Sequence, residues 1–469
     1  MKNSPALIKL KDIGDVVIRH LGTLENINCY IGSNAATPTA SIAALTDAIK
    51  NDTGDIPFMK MFHILLHGPV PYVEEGLQDR IKAYSIFSGG EVRQAADQGR
   101  AYYLPCTLAN MDRLIGKGCG YEIDMVIMKV RQNPATGEFS LGLSVDAIHA
   151  ALETAKLVIA ELDPSMPFTH GQSVISGQDI DYIIEDGIKP VYSFDAPDFN
   201  QLSNEEKRIG ELICGHFLKD GSTLQVGLGK IPDAVVGVIA ASGIKDLGVQ
   251  TELYGDGLMY LQEKGIITNK KKKINTGYST TSLIMGSREL YDYVDMRSQV
   301  QMRPCTYTNA AHTIQSCAPF LSVNTAIGVD LSGNVWADFI DPSRYYGGVG
   351  GQPDFVRALS HKRYGTPIIA MKSLTRKGES KIVPACPSGI TLTASAYDSV
   401  VIVTEYGIAD LRDLPWGFKG LAIASISHPD HRERLMKIIY DDPRMTKPKG
   451  FSLDKIPPGV TLYEGKTAI

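Results

Sequence analysis

The chain has 469 residues, 43% of them hydrophobic and 21% charged, which is the composition of an ordinary globular protein. This length predicts two or three domains, each large enough to bury its own core. The formal net charge of −5 and the pI near 6.1 give no global attraction for nucleic acid or anionic lipid, so neither is an expected partner.

Cysteine usage and the first residues of the chain bear on its compartment. The seven cysteines are scattered without a CxxC pair, which favours neither a disulfide framework nor a structural zinc site. Residues 1–22 lack the apolar core of a signal peptide, and no apolar run is long enough to span a membrane. We therefore expect a soluble protein of a reducing compartment, most simply the cytoplasm.

Short apolar runs alternate with helix-like segments along the whole chain, which indicates α/β architecture. Residues 122–130 and 399–407 have the short apolar pattern of buried strands, and residues 144–162 predict a helix followed by a strand. Residues 185–210 contain two prolines and many polar side chains, so they are the least structured stretch. We place the domain boundary there, near residue 200, which divides the chain into 1–200 and 201–469.

The two halves share one local pattern. Residues 31–49 and 227–242 both contain a glycine turn, then a proline, then an apolar helix. This is the pattern expected of two related domains. Because a strand, a turn and a helix follow one another in any α/β protein, an unrelated second domain stays open as an alternative.

Residues 223–241, TLQVGLGKIPDAVVGVIAA, predict a strand, a tight glycine turn and a helix. Gly227 and Gly229 allow a ligand to approach the backbone closely and leave amides free to donate to an anion, and Pro232 suits the first helical turn. A dinucleotide-binding loop is the rival interpretation, but it needs a third glycine where Pro232 stands. A plain turn without a ligand is the other alternative.

Glu252 lies near the end of the next predicted strand, 248–253, just before a glycine turn within LGVQTELYGDG. If this strand is the parallel neighbour of strand 223–228, the carboxylate faces the glycine turn across the crevice where α/β folds bind ligands. A carboxylate aimed at free amides suits a reacting acyl group, with the carboxylate as nucleophile and the amides holding the oxyanion. The alternative is a glutamate at the end of a strand in solvent.

A second segment rich in backbone amides is YYGGVGGQPDF, residues 345–355. It is either a mobile surface loop or an ordered set of N–H donors that forms the other wall of an oxyanion hole. Metal binding is not expected, because His63 and His67 lack the HExxH glutamate and His428 and His431 suit a helix start. The chain also lacks the GxSxG motif of serine hydrolases.

The sequence resembles the acetyl-CoA hydrolase/transferase family, the class I CoA-transferases. The resemblance covers nearly the whole chain in one order and is carried by several motifs. They are SNAATP (33–38), SGGEVRQAADQGRAYYLPC (88–106), AKLVIAELDPSMPFTHGQSVI (155–175), VGLGKIPDAVV (226–236), LGVQTELYGDGLMYLQEKGIITNKKK (247–272), SLIMGSRELYDYVD (282–295), LSVNTAIGVDLSGNVWAD (321–338), GGVGGQPDFVRA (347–358), ESKIVPA (379–385), VIVTEYGIADLR (401–412) and ISHPDHRE (426–433).

The resemblance implies two related open α/β domains with the active site between them. It implies that Glu252, with its carboxylate already ionised, attacks an acyl-CoA and forms a glutamyl-CoA thioester. CoA and acyl-CoA are then substrates, no tightly bound cofactor is expected, and the second substrate is a small carboxylic acid. The Leu228 amide and that of Gly350 or Gly351 would form the oxyanion hole, and the remaining CoA-binding positions are Gly227, Gly229, Lys230, Ile231, Gly328 and Arg376.

One position departs from the family pattern. Gly328 stands in NTAIGVDL where similar proteins carry Glu or Gln, so it is expected to open space near the site and to alter acyl specificity, admitting a larger or dicarboxylic acid. Similar proteins are homodimers or homotetramers. An acyl-CoA hydrolase that uses the same glutamate and a non-catalytic CoA- or dinucleotide-binding module stay open as alternatives.

Overall fold

The structure is a computed structural model that describes residues 4–52, 54–342, 344–443, 445, 447–452 and 455–463. Its helices and strands alternate along the chain in α/β order, as the sequence predicts. The helices are Ile13–Leu21, Thr39–Asn51, Gly90–Asp97, Met111–Leu114, Ile148–Leu152, Asn204–Phe217, Lys230–Ala241, Asp256–Glu263, Arg288–Val294, Cys305–Thr308, Ala311–Ser316, Gln352–Ala358, Trp416–Ser425 and Pro429–Asp441.

The first half of the chain builds one large sheet around a parallel path of strands. The predicted strand in 122–130 lies at its centre as Met125–Gln132, and its first six residues are buried because helices cover both faces of a parallel sheet. In spatial order the parallel strands are Ala6–Ile8, Tyr182–Ile184, Leu157–Leu162, Met125–Gln132, Asn26–Ile31, Phe58–His63, Ile81–Ser85 and Ala101–Tyr103, and the short strands Phe139–Ser140 and Val174–Ile175 attach beside them.

The second half builds a seven-stranded sheet. The predicted strand in 399–407 is Val401–Thr404, which is completely buried, and the two strands after it are antiparallel. In spatial order the strands are Gly248–Val249, Thr223–Val226, Phe320–Asn324, Gly365–Ala370, Val401–Thr404, Gly407–Asp410 and Val460–Leu462. The chain thus forms two open α/β units, which is the predicted fold class.

The two sheets share a local arrangement that relates the halves. In each sheet, the strand before the glycine turn pairs in parallel on one side with the strand that follows it in the chain, and on the other side with a later parallel strand. Asn26–Ile31 lies between Phe58–His63 and Met125–Gln132, and Thr223–Val226 lies between Gly248–Val249 and Phe320–Asn324. The chain also forms four small sheets among the described residues: Leu253–Tyr254 with Leu283–Ile284; Ser279–Thr281, Val300–Met302 and His170–Gly171; Val335–Trp336, Gly328–Asp330 and Ile382–Val383; and Phe339–Asp341 with Arg344–Tyr345.

The polar stretch 185–210 is irregular only in part. Helix Asn204–Phe217 begins inside it, because Ser203 and Glu206 form a reciprocal capping box. The Glu206 backbone N–H donates to the Ser203 hydroxyl over 3.3 Å, and the Ser203 N–H donates to the Glu206 carboxylate over 2.8 Å. The polar residues near 203 therefore begin a helix, and the domain boundary near residue 200 stays a prediction. Within the described residues, no helix combines the length and apolar character needed to cross a bilayer.

Candidate active site

The glycine turn at 227–229 connects the buried strand Thr223–Val226 to helix Lys230–Ala241. Gly229 has φ +119°, a backbone conformation that a residue with a Cβ rarely adopts, so the turn depends on glycine at this position. Pro232 is buried in the first helical turn, as predicted. The Leu228 side chain is 47% exposed, which leaves an apolar group at the mouth of the crevice.

Glu252 lies next to this turn because the strand before it, Gly248–Val249, pairs in parallel with Thr223–Leu224. The predicted strand 248–253 is interrupted, since the chain leaves the sheet after Val249 and pairs again through Leu253–Tyr254 in a separate small sheet. The Glu252 carbonyl oxygen accepts the backbone N–H groups of Ser282 over 3.0 Å and of Leu283 over 2.8 Å. The backbone of the glutamate is therefore fixed although it belongs to no strand.

Two donors from different parts of the chain hold the Glu252 carboxylate. The Asn309 side-chain amide donates to its Oε2 over 3.0 Å, and the Gly351 backbone N–H also donates to the carboxylate. The same Asn309 amide donates to Asp354 over 3.2 Å, and the Ala109 N–H donates to Asp354 over 3.0 Å. These contacts direct the carboxylate away from solvent and towards the glycine-rich segment at 345–355.

Burial raises the pKa of Glu252 from its ordinary 4.5 to about 7. The hydrogen bond from Asn309 lowers the pKa, the charge of Asp354 raises it, and the Gly351 N–H lowers it. The expectation that this carboxylate is already ionised is therefore only partly right, since at neutral pH a large fraction of the unliganded protein carries it protonated. Local sequence did not reveal this, because the desolvation comes from segments distant in the chain.

The glycine-rich segment is packed against the N-terminal half of the chain. The Ser88 N–H donates to the Gly347 carbonyl over 2.9 Å, and the Tyr103 ring stacks on Tyr345 with 3.9 Å between centroids. A Cβ built on Gly348 would lie 2.7 Å from the Phe87 ring. These contacts favour an ordered wall of the site over a mobile surface loop.

The turn, the glutamate and the glycine-rich segment together enclose a cavity of about 260 Å³. It adjoins a much larger groove of about 1140 Å³ at the carboxyl ends of the C-terminal strands, the position where open α/β sheets bind ligands. Of the predicted site residues, the cavity is lined by Gly227, Leu228, Glu252, Gly350 and Gly351, and the groove by Leu228, Gly229, Lys230, Ile231 and Arg376.

The large groove is lined by four cationic side chains and by three glutamates: Lys230, Lys372, Arg376 and Lys381, and Glu205, Glu206 and Glu405. Lys230 and Arg376 make no ion pair or hydrogen bond within the part of the chain that the structure describes, whereas Lys372 pairs with Glu206 over 3.0 Å. Burial lowers the pKa of Lys381, and the nearby Glu405 raises it. Free cations beside the glycine turn favour an anionic ligand in this groove.

The expectation for Gly328 is wrong. Gly328 lies in the strand Gly328–Asp330, where it pairs with Trp336, and it does not line the catalytic cavity. A Cβ built there would meet the Trp336 indole at 2.1 Å. The space expected beside this glycine is filled by the tryptophan, so Gly328 opens no room for a larger or dicarboxylic acid.

Several residues of the site were missed by sequence reasoning. Asn309 and Phe87 lie far from Glu252 in the chain, and neither is part of a pattern that indicates a carboxylate site. Lys372 follows the carboxyl end of the strand Gly365–Ala370, a position that could have suggested it, whereas Lys381 precedes the short strand Ile382–Val383 and has no such signal. No group of three or more possible metal-ligating side chains occurs among the described residues.

Comparison with known proteins shows the family of the chain. The N-terminal domain model of acetyl-CoA hydrolase/transferase matches residues 25–194, and the C-terminal domain model matches residues 286–439. The chain is 35% identical to a 4-hydroxybutyrate coenzyme A transferase of Clostridium kluyveri over 84% of this chain and 90% of that protein. It is 33% identical to a succinyl-CoA:acetate/propanoyl-CoA:succinate CoA transferase of Fasciola hepatica over 89% of this chain and 85% of that protein.

A solved structure shares the whole architecture. The crystal structure of RipA from Yersinia pestis aligns with a TM-score of 0.80 at 27% identity, covering 93% of this chain and 97% of that one. Two domain models of one family match the chain in order, and relatives of at least 33% identity cover more than four fifths of it. The chain therefore belongs to the acetyl-CoA hydrolase/transferase family.

Proposed function

We propose that the protein is a CoA-transferase that moves CoA between an acyl-CoA and a small carboxylic acid through a thioester on Glu252. The observation that carries the proposal is the position of this carboxylate. It is held by Asn309 and Gly351 in a small cavity that adjoins a large cationic groove. A nucleophile in a small chamber beside an anion-binding groove suits a substrate with a small reacting end and a long anionic remainder.

The chemistry proceeds in two exchanges. The Glu252 carboxylate attacks the thioester carbonyl carbon, the C–S bond breaks, and a mixed anhydride and CoA thiolate result. The thiolate then attacks the glutamyl carbonyl of the anhydride, which releases the free acid and leaves glutamyl-CoA. A second carboxylate reverses both steps, so ping-pong kinetics are expected.

Backbone N–H groups near Glu252 stabilise the oxyanion that develops in each step. The Leu228 and Gly350 positions line the cavity beside Glu252, and the Gly351 N–H already points at the carboxylate. A preorganised donor of this kind contributes on the order of 3 kcal/mol to the transition state. CoA bound along the groove at Lys230 and Arg376 would add binding energy remote from the reacting bond.

The adduct itself is the test of this proposal. The protein is incubated with acyl-CoA without an acceptor, treated with borohydride or digested directly, and analysed by mass spectrometry. CoA or the reduction product is expected on the peptide that contains Glu252, and the Glu252→Ala variant should carry none. Labelling at another residue, or full transfer activity in Glu252→Ala, would overturn the assignment.

The pH dependence of transfer is a second expected result. Because the nucleophile must be ionised, kcat/KM should fall below about pH 7, where the raised pKa of Glu252 leaves the carboxylate protonated. Asn309→Ala removes a hydrogen bond that lowers this pKa, so the acid limb of the pH profile of kcat/KM should move to higher pH. The decrease in kcat/KM of Asn309→Ala relative to the native enzyme should be about tenfold greater at pH 6 than at pH 9, since a hydrogen bond to a charged group is worth roughly 1.5–3 kcal/mol.

The control for this experiment is Asn309→Asp, which keeps the size of the side chain and adds a like charge. It should move the acid limb to higher pH still. An acid limb that is the same in all three proteins would contradict the role given to Asn309.

A hydrolase is the second candidate, because the family includes acetyl-CoA hydrolases and the cavity adjoins an open groove through which water can reach the glutamyl thioester. Thioester loss measured with and without an added carboxylate separates the two functions. A transferase needs the acceptor, whereas a hydrolase releases CoA at the same rate without it. The cytoplasmic location and the homodimer or homotetramer stay predictions.

A further inference from the structure

The catalytic cavity has two distinct ends. One end is shared with the cationic groove, since Leu228, Pro232 and Thr325 line both spaces. Phe87 and Leu253 line the cavity but not the groove, and the part of the cavity beside them is called the Phe87 end. If CoA enters from the groove, as the proposed function requires, the acyl group of the substrate occupies the Phe87 end.

This acyl end has no positive charge. Glu252 is the only ionisable side chain among the described residues that line the cavity, whereas the groove beside it is lined by three lysines and one arginine as well as three glutamates. Asp354, behind Asn309, adds a second carboxylate close to the site. A second carboxylate on the substrate would therefore be buried near negative groups without a counter-charge, which is strongly unfavourable.

The amide side chains of the wall do not replace a cation. Gln225 and Asn324 are bonded to each other, with the Asn324 Nδ2 donating to the Gln225 Oε1 over 3.2 Å and also to Ser322 over 2.9 Å. The Gln352 amide donates to the Thr325 carbonyl over 2.8 Å. Both N–H groups of Asn324 and one of Gln352 are thus engaged within the protein, and a neutral amide carries no charge to offset an added carboxylate.

The Phe87 ring limits the length of this end. A Cβ built on Gly350 would lie 3.7 Å from Oε1 of Glu252 and 3.9 Å from the Phe87 ring, so the ring stands close to the reacting carboxylate. The same ring packs against Gly347 and Gly348, where added Cβ atoms would lie 3.1 and 2.7 Å from it. The cavity of about 260 Å³ is smaller than the ~300–1,000 Å³ of pockets that hold drug-sized ligands.

We propose that this chain accepts short acyl groups that are uncharged at their far end, and that Phe87 is the residue that sets their maximum length. The inference rests on the proposed function and makes it more specific. Family membership does not decide the point, because the relative from Fasciola hepatica is named for succinyl-CoA and the relative from Clostridium kluyveri for 4-hydroxybutyrate.

The charge is tested on the native enzyme with two acceptors of the same shape. Succinate and succinamate differ only in that a carboxylate is replaced by a neutral amide. With acetyl-CoA as donor at pH 8, kcat/KM for succinamate should exceed that for succinate by at least about 100-fold, as expected for an unpaired buried charge. Equal values, or a preference for succinate, would overturn the inference.

The length limit is tested with straight-chain acids from acetate to hexanoate. Phe87→Ala should raise the ratio of kcat/KM for hexanoate to that for propionate by at least about tenfold, since each methylene in a fitted pocket is worth about 10–200-fold. Phe87→Trp should lower the ratio of butyrate to acetate. Phe418→Ala removes the same side chain from a half-buried position in helix Trp416–Ser425, outside the cavity, and should change neither ratio.

The outcomes separate this inference from the proposed function. If no carboxylate accepts CoA from any donor and no adduct forms on Glu252, the proposed transferase function fails. If transfer and the adduct are present but the ratios of Phe87→Ala and Phe87→Trp match those of the native enzyme, only the role of Phe87 fails. The ratio of two acceptors is measured on the same protein sample, so partial unfolding of a variant does not change it.

Discussion

Glu252→Gln is expected to lower CoA transfer by at least about 10⁴-fold, because an amide cannot act as the nucleophile that forms the anhydride and the thioester. The substitution keeps the length of the side chain and one acceptor oxygen for Asn309. Steady-state transfer from an acyl-CoA to a carboxylate measures the loss. Glu75→Gln, at an exposed position outside the site, is the matched control and should retain native activity.

The same variant is expected to be more stable than the native protein at high pH. In the folded state the pKa of Glu252 is raised from 4.5 to about 7. Ionising the buried carboxylate therefore lowers the free energy of unfolding, and this loss is absent below pH 4.5 and complete above about pH 7. The amide never bears this cost, which has an upper limit of roughly 3 kcal/mol. The Tm of Glu252→Gln minus that of the native protein should therefore increase by a few degrees between pH 5 and pH 8. A difference that does not change with pH would contradict the raised pKa.

The parts of this site that could be predicted from the sequence are those in which one short segment determines its own geometry. In residues 223–241, the alternating strand, the glycine with positive φ and the apolar helix face are all local properties. The parallel pairing of 223–224 with 248–249 follows from the short βαβ connection. Together they place Glu252 beside the turn, which confirms the expected neighbouring strands.

The rest depends on contacts between segments that are distant in the chain. Asn309 contacts Glu252 from a separate segment of the same half, and Phe87 lies beside Gly350 because the N-terminal half packs against the glycine-rich segment; no local pattern marks either residue. The raised pKa of Glu252 could not be predicted either, because it comes from burial of the carboxylate and from the charge of Asp354, which is distant in the chain. Gly328 shows the opposite error. A small residue indicates free space only if its neighbours leave it empty, and here the paired Trp336 fills it.

Gly351→Ala is expected to lower kcat by at least about 100-fold, although it adds only a methyl group. The backbone at Gly351 has φ −93°, which alanine adopts without strain. The methyl group, however, would lie 1.6 Å from Oε2 of Glu252 and 2.2 Å from Nδ2 of Asn309. Neither the Glu252 carboxylate nor the Asn309 amide can stay so close to a methyl group, so the carboxylate must move. A displacement of about 1 Å costs about 10²-fold in rate. Single-turnover formation of the adduct on Glu252 measures the effect.

The steric origin of this loss can be separated from a general effect of adding a methyl group. Gly215→Ala places the same group on helix Asn204–Phe217, where nothing lies within 4 Å of the added Cβ, and it should preserve activity and raise stability by about 0.5–1 kcal/mol. Glu252→Ala removes the carboxylate that the methyl group of Gly351→Ala would meet. The decrease in Tm caused by Gly351→Ala should therefore be smaller in the Glu252→Ala background than in the native protein, since directly contacting residues are coupled. Equal decreases in both backgrounds would mean that the methyl group disturbs something other than the catalytic carboxylate.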